Sequence, residues 1–358
     1  MAIMKHLFLA VIAVLAMASC SNVKEKDIET ENATGVVLVQ NQSYYEVVLS
    51  NGESIFFSGF DEKEGINGIA MDEDSVKASV SYGTGFFISN DGQIATNAHV
   101  VSNVVKDKDV NKSVAKVLEA LKRLMAMAYN EYDEKYNEAQ QAYNIANTDP
   151  DVSYDTFYRI RDYRDAIKEE RDKYAQYYYG IDEIRASESE IKYHNKVSIA
   201  YNNTFVTNAD DFVSCVVTKT DTDHDLAIIQ LKDKLTPVGK HVFEVSASDP
   251  LEDYSFTDKL TAKLSDDKNS KVFMTSFNLG PTLALTKEGV KSQFNSGSIS
   301  QRTDDRLMYS IPSLPGSSGS PVVNHAGQLV AINYAGLNNT QSFNYGVRVK
   351  YLKNLMDK

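Results

Sequence analysis

Apolar residues come in short runs separated by turn residues over residues 36–103 and 196–349, and at a spacing of three and four over residues 104–195. The first pattern predicts strands, because successive side chains of a strand point to opposite faces and Gly, Asn and Asp between runs supply turns. Runs at 36–39, 44–49 and 54–57 are separated by Asn-Gln and Asn51-Gly52 turn signals, and runs at 84–88 and 93–96 flank Asn90-Asp91-Gly92. Further strands are expected at 197–201, 212–218, 226–231, 272–277, 297–301, 307–311, 321–323, 328–333 and 345–349. So many short strands predict a mainly β protein of barrel or sandwich class. Tyr351, Leu352, Leu355 and Met356 then recur at helical spacing and predict a closing helix.

Residues 104–195 differ in kind. Val114, Leu118, Leu121, Met125, Ala128 and Tyr132 mark one face of a long helix. Asn147-Thr148-Asp149-Pro150 ends it, since proline cannot continue a helix and restricts the residue before it. A second helical stripe runs from about Asp151 through Phe157, Ile160, Ile167, Tyr174 and Ile181. The two predict an antiparallel helical hairpin inserted into the β protein. More than half of the 21 tyrosines lie in it. They either pack the helices together or form a recognition surface for substrate, glycan or a protein partner.

The two ends and the composition narrow the setting. Lys5 and His6 precede an apolar run from Leu7 to Ala18, too short to span a bilayer, so residues 1–19 read as a signal peptide. The run closes on Met17-Ala18-Ser19-Cys20, which resembles a bacterial lipoprotein box, with Cys20 as the lipidated residue. Residues 20–35 are polar and read as a lipidated tether. The expected location is the bacterial cell envelope, with membrane contact through the lipid on Cys20. With Cys20 so used, Cys215 has no partner for a disulfide and reads as a small buried residue. A net charge of −12 gives a nucleic-acid partner no electrostatic support. The six histidines show no metal-ligand spacing, and neither a metal nor a cofactor is expected.

Three segments carry the chemistry: Thr96-Asn97-Ala98-His99, Asp225-Leu226-Ala227 and Gly316-Ser317-Ser318-Gly319-Ser320-Pro321. A serine hydroxyl is a weak nucleophile that needs an imidazole to take its proton and a carboxylate to orient that imidazole. In chain order the segments run His, Asp, Ser, which excludes an α/β-hydrolase, where Ser comes first. The glycines around Ser318 let two backbone N–H groups point at one spot, where an oxyanion would develop. Such donors contribute roughly 3–4 kcal/mol each. The pattern predicts a serine endopeptidase acting on protein or peptide substrates.

At these residues the chain resembles the trypsin-like (chymotrypsin-fold) serine peptidases, most closely their bacterial HtrA-like branch. Gly83-Thr84-Gly85-Phe86-Phe87-Ile88 and Gly92–Val101 are similar to that branch's histidine segment, and Asp223-His224-Asp225-Leu226-Ala227 to its aspartate strand. Leu314–Val323 is similar to its nucleophile loop, and Phe343–Val347 to its last barrel strand. The resemblance implies two antiparallel β-barrels of chymotrypsin type over 36–103 and 196–358, with the long helical hairpin, 104–195, inserted. It implies a triad of His99, Asp225 and Ser318, with Asp223 as runner-up for the acid, and an oxyanion hole of the Gly316 and Ser318 N–H groups. Ser320 replaces the second glycine of the usual Gly-x-Ser-Gly-Gly, no histidine stands in 329–334 to hold an acidic substrate side chain, and no PDZ module is expected. Pocket walls at 312–314 and 333–335 are uncharged, which disfavours Lys or Arg at the scissile position. The insert, following His99, is expected to rise beside the cleft and select substrates. Two other readings stay open: a silent binding or chaperone-like lipoprotein on a protease scaffold, and a serine esterase.

Overall fold

The computed structural model describes residues 25–61, 63–103, 105–208, 211–251, 270–336 and 344–358. The expected signal peptide, residues 1–19, and Cys20 lie outside the described residues. Two compact units emerge: one holds residues up to 42, 80–104 and 195–358, the other 43–79 and 105–194.

The first strands in chain order are β1 (Val36–Val48), β2 (Ser54–Phe57), β3 (Gly59–Asp61), β4 (Gly65–Asn67), β5 (Ser79–Phe87), β6 (Gln93–Thr96), β7 (Glu190–Tyr201), β8 (Val213–Asp221) and β9 (Leu226–Leu231), of which β2, β3 and β4 fall in the second unit. The ladder β1-β5-β6-β9-β8-β7 closes through a further pairing of β1 with β7. The later strands are β10 (Lys271–Ser276), β11 (Leu285–Thr286), β12 (Gly289–Val290), β13 (Gln293–Arg302), β14 (Arg306–Tyr309), β15 (Pro321–Asn324), β16 (Leu329–Gly336) and β17 (Asn344–Arg348). Of these, β10-β13-β14-β17-β16-β15 form a second closed barrel. Two six-stranded antiparallel barrels of chymotrypsin type with a long helical insertion are the architecture implied by the resemblance.

The runs of apolar residues are explained by burial on both faces. Along β1, β5 and β9, Val37, Val39, Phe87, Ala227 and Ile229 join a core of the first barrel. Their neighbours Val36, Leu38, Phe86, Leu226 and Ile228 face the opposite way, into a cluster shared with Phe273, Phe277, Val323, Ile332 and Val347 of the second barrel. The second barrel encloses Val272, Met274, Leu307, Tyr309, Val322 and Val330. The closing helix, Val349–Asp357, adds Leu352 and Leu355 to the shared cluster. Where β17 ends, Arg348 pairs with Asp249 at 2.6 Å, the two side chains only 6% and 2% exposed.

The expected tether takes a different form from Glu25 onward. Glu25–Gly35 is a helix whose Ile28 enters the shared cluster. Polar bonds hold the rest: Asn202 Nδ2 donates to Ala33 O at 2.8 Å, His241 N–H to Thr34 Oγ1 at 3.0 Å, and Lys271 pairs with Glu25 at 2.9 Å. Two apolar residues, Ile28 and Ala33, set among polar ones hid this helix from the pattern.

The second unit contains helices Asp107–Thr148 and Tyr154–Asp182, broken around Pro150, with the Ser153 hydroxyl accepting from Thr156 N–H as a cap. Its core is at the hairpin's root, where Val110, Val114 and Leu118 pack on Tyr45, Val47, Leu49, Ile55 and Phe57. The compact unit is therefore larger than the insert expected at 104–195, because residues 43–79 share its core. Farther out the helices meet through rings and cations: Tyr132 with Tyr174, Tyr143 with Phe157, and Arg164 over Tyr143 at 4.0 Å. Cys215, in β8, is buried and its thiol is pushed up to about 12 by desolvation, so it stays an unreactive packing residue. Among the described residues no helix is long and apolar enough to cross a membrane.

Candidate active site

Strand β6 delivers His99 just past its end, on the short helical turn Ala98–Val101. Strand β9, paired with β6, begins at Leu226, so Asp225 lies at the neighbouring strand's start. The result is a two-point contact. His99 N–H donates to Asp225 Oδ1 at 2.9 Å, and Nδ1–H donates to Oδ2 at 2.6 Å. Nδ1 is thereby committed, which leaves Nε2 as the basic nitrogen. The structure brings Asp225, not Asp223, to His99; Asp223 instead belongs to a turn in which its N–H donates to Asp221 Oδ1. The pair is partly open, His99 at 37% and Asp225 at 26% side-chain exposure, so substrate has access to the ring.

Ser318 comes from the loop before β15. A threonine missing from the sequence-based list of site residues fastens this loop to the first barrel. Thr84, fully buried in β5, donates its N–H to Ser318 O and its Oγ1 to Gly316 O, both at 2.8 Å. Its Oγ1 accepts from Phe277 N–H at 3.0 Å, and its carbonyl accepts from Thr96 Oγ1 at 2.8 Å. Thr96 is three residues before His99, so one buried residue, Thr84, ties the serine loop through its side chain and N–H to the histidine segment through its carbonyl. Close approach also explains Gly83. A Cβ there would stand 2.7 Å from Val100 and 3.2 Å from Ser318 O. Its signal was the Gly-Thr-Gly motif, where two glycines mark backbone that must approach something.

Behind the loop lies a buried polar network that the sequence did not reveal. Tyr309 OH donates to Asn333 Oδ1 at 2.8 Å, and Asn333 Nδ2 donates to Ser317 O at 3.0 Å. Ser320, the residue in place of the second glycine, spends its hydroxyl on Ser317 O at 2.7 Å. Gly319 keeps the left-handed φ of +87°, with its N–H on Asn333 O at 2.7 Å. The serine substitution is thus absorbed one residue beyond the position that needs glycine. Full burial keeps the Tyr309 phenol well above its ordinary range, so it stays a neutral donor.

These bonds select which backbone groups are left over. Ser317, Gly319 and Ser320 N–H groups all find carbonyl acceptors. Among the described residues, Gly316 and Ser318 N–H groups find none. Two unspent donors therefore flank Ser318, as a site for a developing oxyanion requires. No hydrogen bond joins Ser318 Oγ to the His99 ring among the described residues; such bonds commonly close only when substrate is bound.

Among known proteins, no curated sequence matches the chain. One solved structure similar to it is the serine endoprotease from Yersinia pestis, at 11% identity and a TM-score of 0.43. The comparison covers 93% of this chain and 65% of that one, so the chain spans less than two thirds of that protein's length. The family model described as trypsin-like peptidase domain matches residues 185–332. That stretch carries Asp225 and Ser318 and begins after the two long helices, while His99 lies on their other side.

Proposed function

We propose that the chain is a serine endopeptidase of the HtrA-like kind that hydrolyses peptide bonds through His99, Asp225 and Ser318. The observation that carries this reading is the pairing of a carboxylate-held imidazole with a serine loop whose Gly316 and Ser318 N–H groups have no acceptor among the described residues. In the proposed reaction Ser318 Oγ attacks the peptide carbonyl carbon and its proton passes to His99 Nε2. Asp225 holds the ring and stabilises its charged form, while the two N–H groups receive the oxyanion. His99 then protonates the departing amine. Water, deprotonated by the same nitrogen, attacks the acyl-enzyme and releases the acid and Ser318.

No cofactor is needed for these steps. The uncharged walls at 312–314 and 333–335 argue for an uncharged side chain at the scissile position. A lipid on Cys20, at the envelope of a bacterial cell, is proposed as the anchor, and the exposed hairpin tyrosines, such as Tyr163 and Tyr179, as a contact surface for a partner. Protein beginning at Ser21 should cleave an unbiased peptide library and be labelled at Ser318 by a fluorophosphonate, with both activities lost in Ser318→Ala. A folded wild-type protein that neither cleaves nor labels overturns the proposal and favours a binding scaffold. Labelling with turnover of esters alone favours an esterase.

A further inference from the structure

Asn97 occupies the position before the Ala98–Val101 turn, where an asparagine ordinarily caps the turn's own backbone, yet it makes no such bond. Its Nδ2 donates instead to the carbonyl oxygen of Asp225 at 2.8 Å. The amide orientation is dictated by that partner, since only nitrogen can donate to a carbonyl. The side chain is fully buried, and among the described residues Oδ1 has no hydrogen-bond partner. A buried orphan acceptor costs stability, so stability alone does not explain an asparagine here.

What the amide holds is a strained peptide. Asp225 has a φ of +53°, in the left-handed region that non-glycine residues seldom occupy. Its carbonyl receives two donors, Asn97 Nδ2 and, at 3.2 Å, Ala98 N–H. Held this way, the carboxylate meets both His99 N–H and Nδ1. We propose that Asn97 is a positioning residue: its side-chain amide locks the left-handed backbone of Asp225 so that the carboxylate is aimed at the His99 ring. The proposal rests on the peptidase reading of His99, Asp225 and Ser318.

Two variants test it. Asn97→Ala removes donor and orphan acceptor together, whereas Asn97→Asp keeps the shape but offers the Asp225 carbonyl no donor when ionised. In both, kcat should fall roughly 10- to 100-fold with little change in KM, as for a slightly misplaced catalytic group. In Asn97→Ala, which adds no charge, the acidic limb of the kcat/KM profile should move to lower pH, because a misaimed carboxylate stabilises the imidazolium less. Tyr334, a titratable side chain coupled to the charge of Asp225, is present in all three proteins and cannot produce the difference. The downfield proton resonance of the His99–Asp225 bond should shift or broaden, with the melting temperature of Asn97→Ala near the wild-type value.

Wild-type kcat and pH profile in Asn97→Ala overturn the proposal. So does lost kcat with limb and resonance unmoved, or a variant that cannot fold, since either gives Asn97 a purely structural role. A wild-type protein silent toward every substrate defeats the peptidase reading alone, because the resonance tests Asn97 without turnover.

Discussion

Strand β9 and the helix Tyr154–Asp182 meet water in opposite ways. All but one of the six residues of β9 are buried, and they feed two cores at once, Ala227 and Ile229 on one side, Leu226 and Ile228 on the other. None of the helix's 29 residues is buried. Its order comes from a cap, a proline break and rings stacked with cations, all made with near neighbours or with the opposing helix. The triad candidates belong to the first kind of structure. Asp225 precedes β9, and the Thr84 bond to Gly316 spans 232 positions between strand and loop. Catalytic geometry needs positions held to fractions of an ångström, and nonlocal burial supplies that stiffness where local helical contacts would not.

If that contrast holds, damage should be large in the barrels and small in the hairpin. The largest effect is expected from Arg348→Met, which leaves Asp249 charged and unpaired in a buried site. Breaking such a pair costs about 3–5 kcal/mol, and urea unfolding followed by barrel signals should report it. A loss under 1 kcal/mol would mean that water reaches Asp249. Gly319→Ala comes next. Its Cβ would lie 2.1 Å from Thr84 O at a left-handed φ, so the serine loop must shift. Strain of about 1–3 kcal/mol and a fluorophosphonate labelling rate at least tenfold slower are expected. An unchanged rate would show that the loop can relax without moving Ser318.

How far the sequence revealed this difference depends on whether a signal was local. Short apolar runs between turn residues located β9 and β6, the run around Pro150 located the hairpin's turn, and Gly-Ser-Ser-Gly-Ser-Pro marked the serine loop. Each is written in consecutive residues. Thr84 looks like any strand threonine, and only its partners at Gly316 and Ser318 make it part of the site. The Arg348–Asp249 pair joins residues 99 positions apart, with no pattern linking them. Val47, Leu49, Ile55 and Phe57 alternate as barrel residues would, so the buried face was legible but not its partner, the root of the hairpin. The helix Glu25–Gly35 was missed because its docking relies on Ile28 and a few side-chain-to-backbone bonds rather than on an apolar stripe.

On the hairpin, Tyr163→Ala should change stability by no more than about 0.5 kcal/mol, since the ring is more than half exposed. Cysteine labelling extends the test. In protein beginning at Ser21, native Cys215 should react with an alkylating agent only as fast as the barrel opens, being buried with its thiol at about 12. A cysteine placed at Tyr163 should react at once. Rapid labelling of Cys215 would remove the contrast.

The smallest expected effect lies at the hairpin's root and depends on pH. Glu46 accepts from Ser54 Oγ and from His194 Nε2, each at 2.8 Å, with Lys192 at 3.7 Å. The Ser54 bond first, then His194, holds its carboxyl below the usual carboxylate range. Because the folded value lies below the unfolded one, its contribution is present above the ordinary carboxylate range. It disappears as pH falls through the folded value. Protection from hydrogen exchange at Tyr45–Val48, corrected for the intrinsic rate at each pH, should therefore fall on acidification more in the wild type than in Glu46→Gln, which cannot lose a charge. Equal acid sensitivity would assign the effect to other carboxylates. It would also leave the root held by Val47, Phe57 and Val114 packing alone, which would make it resemble the barrels rather than the hairpin it carries.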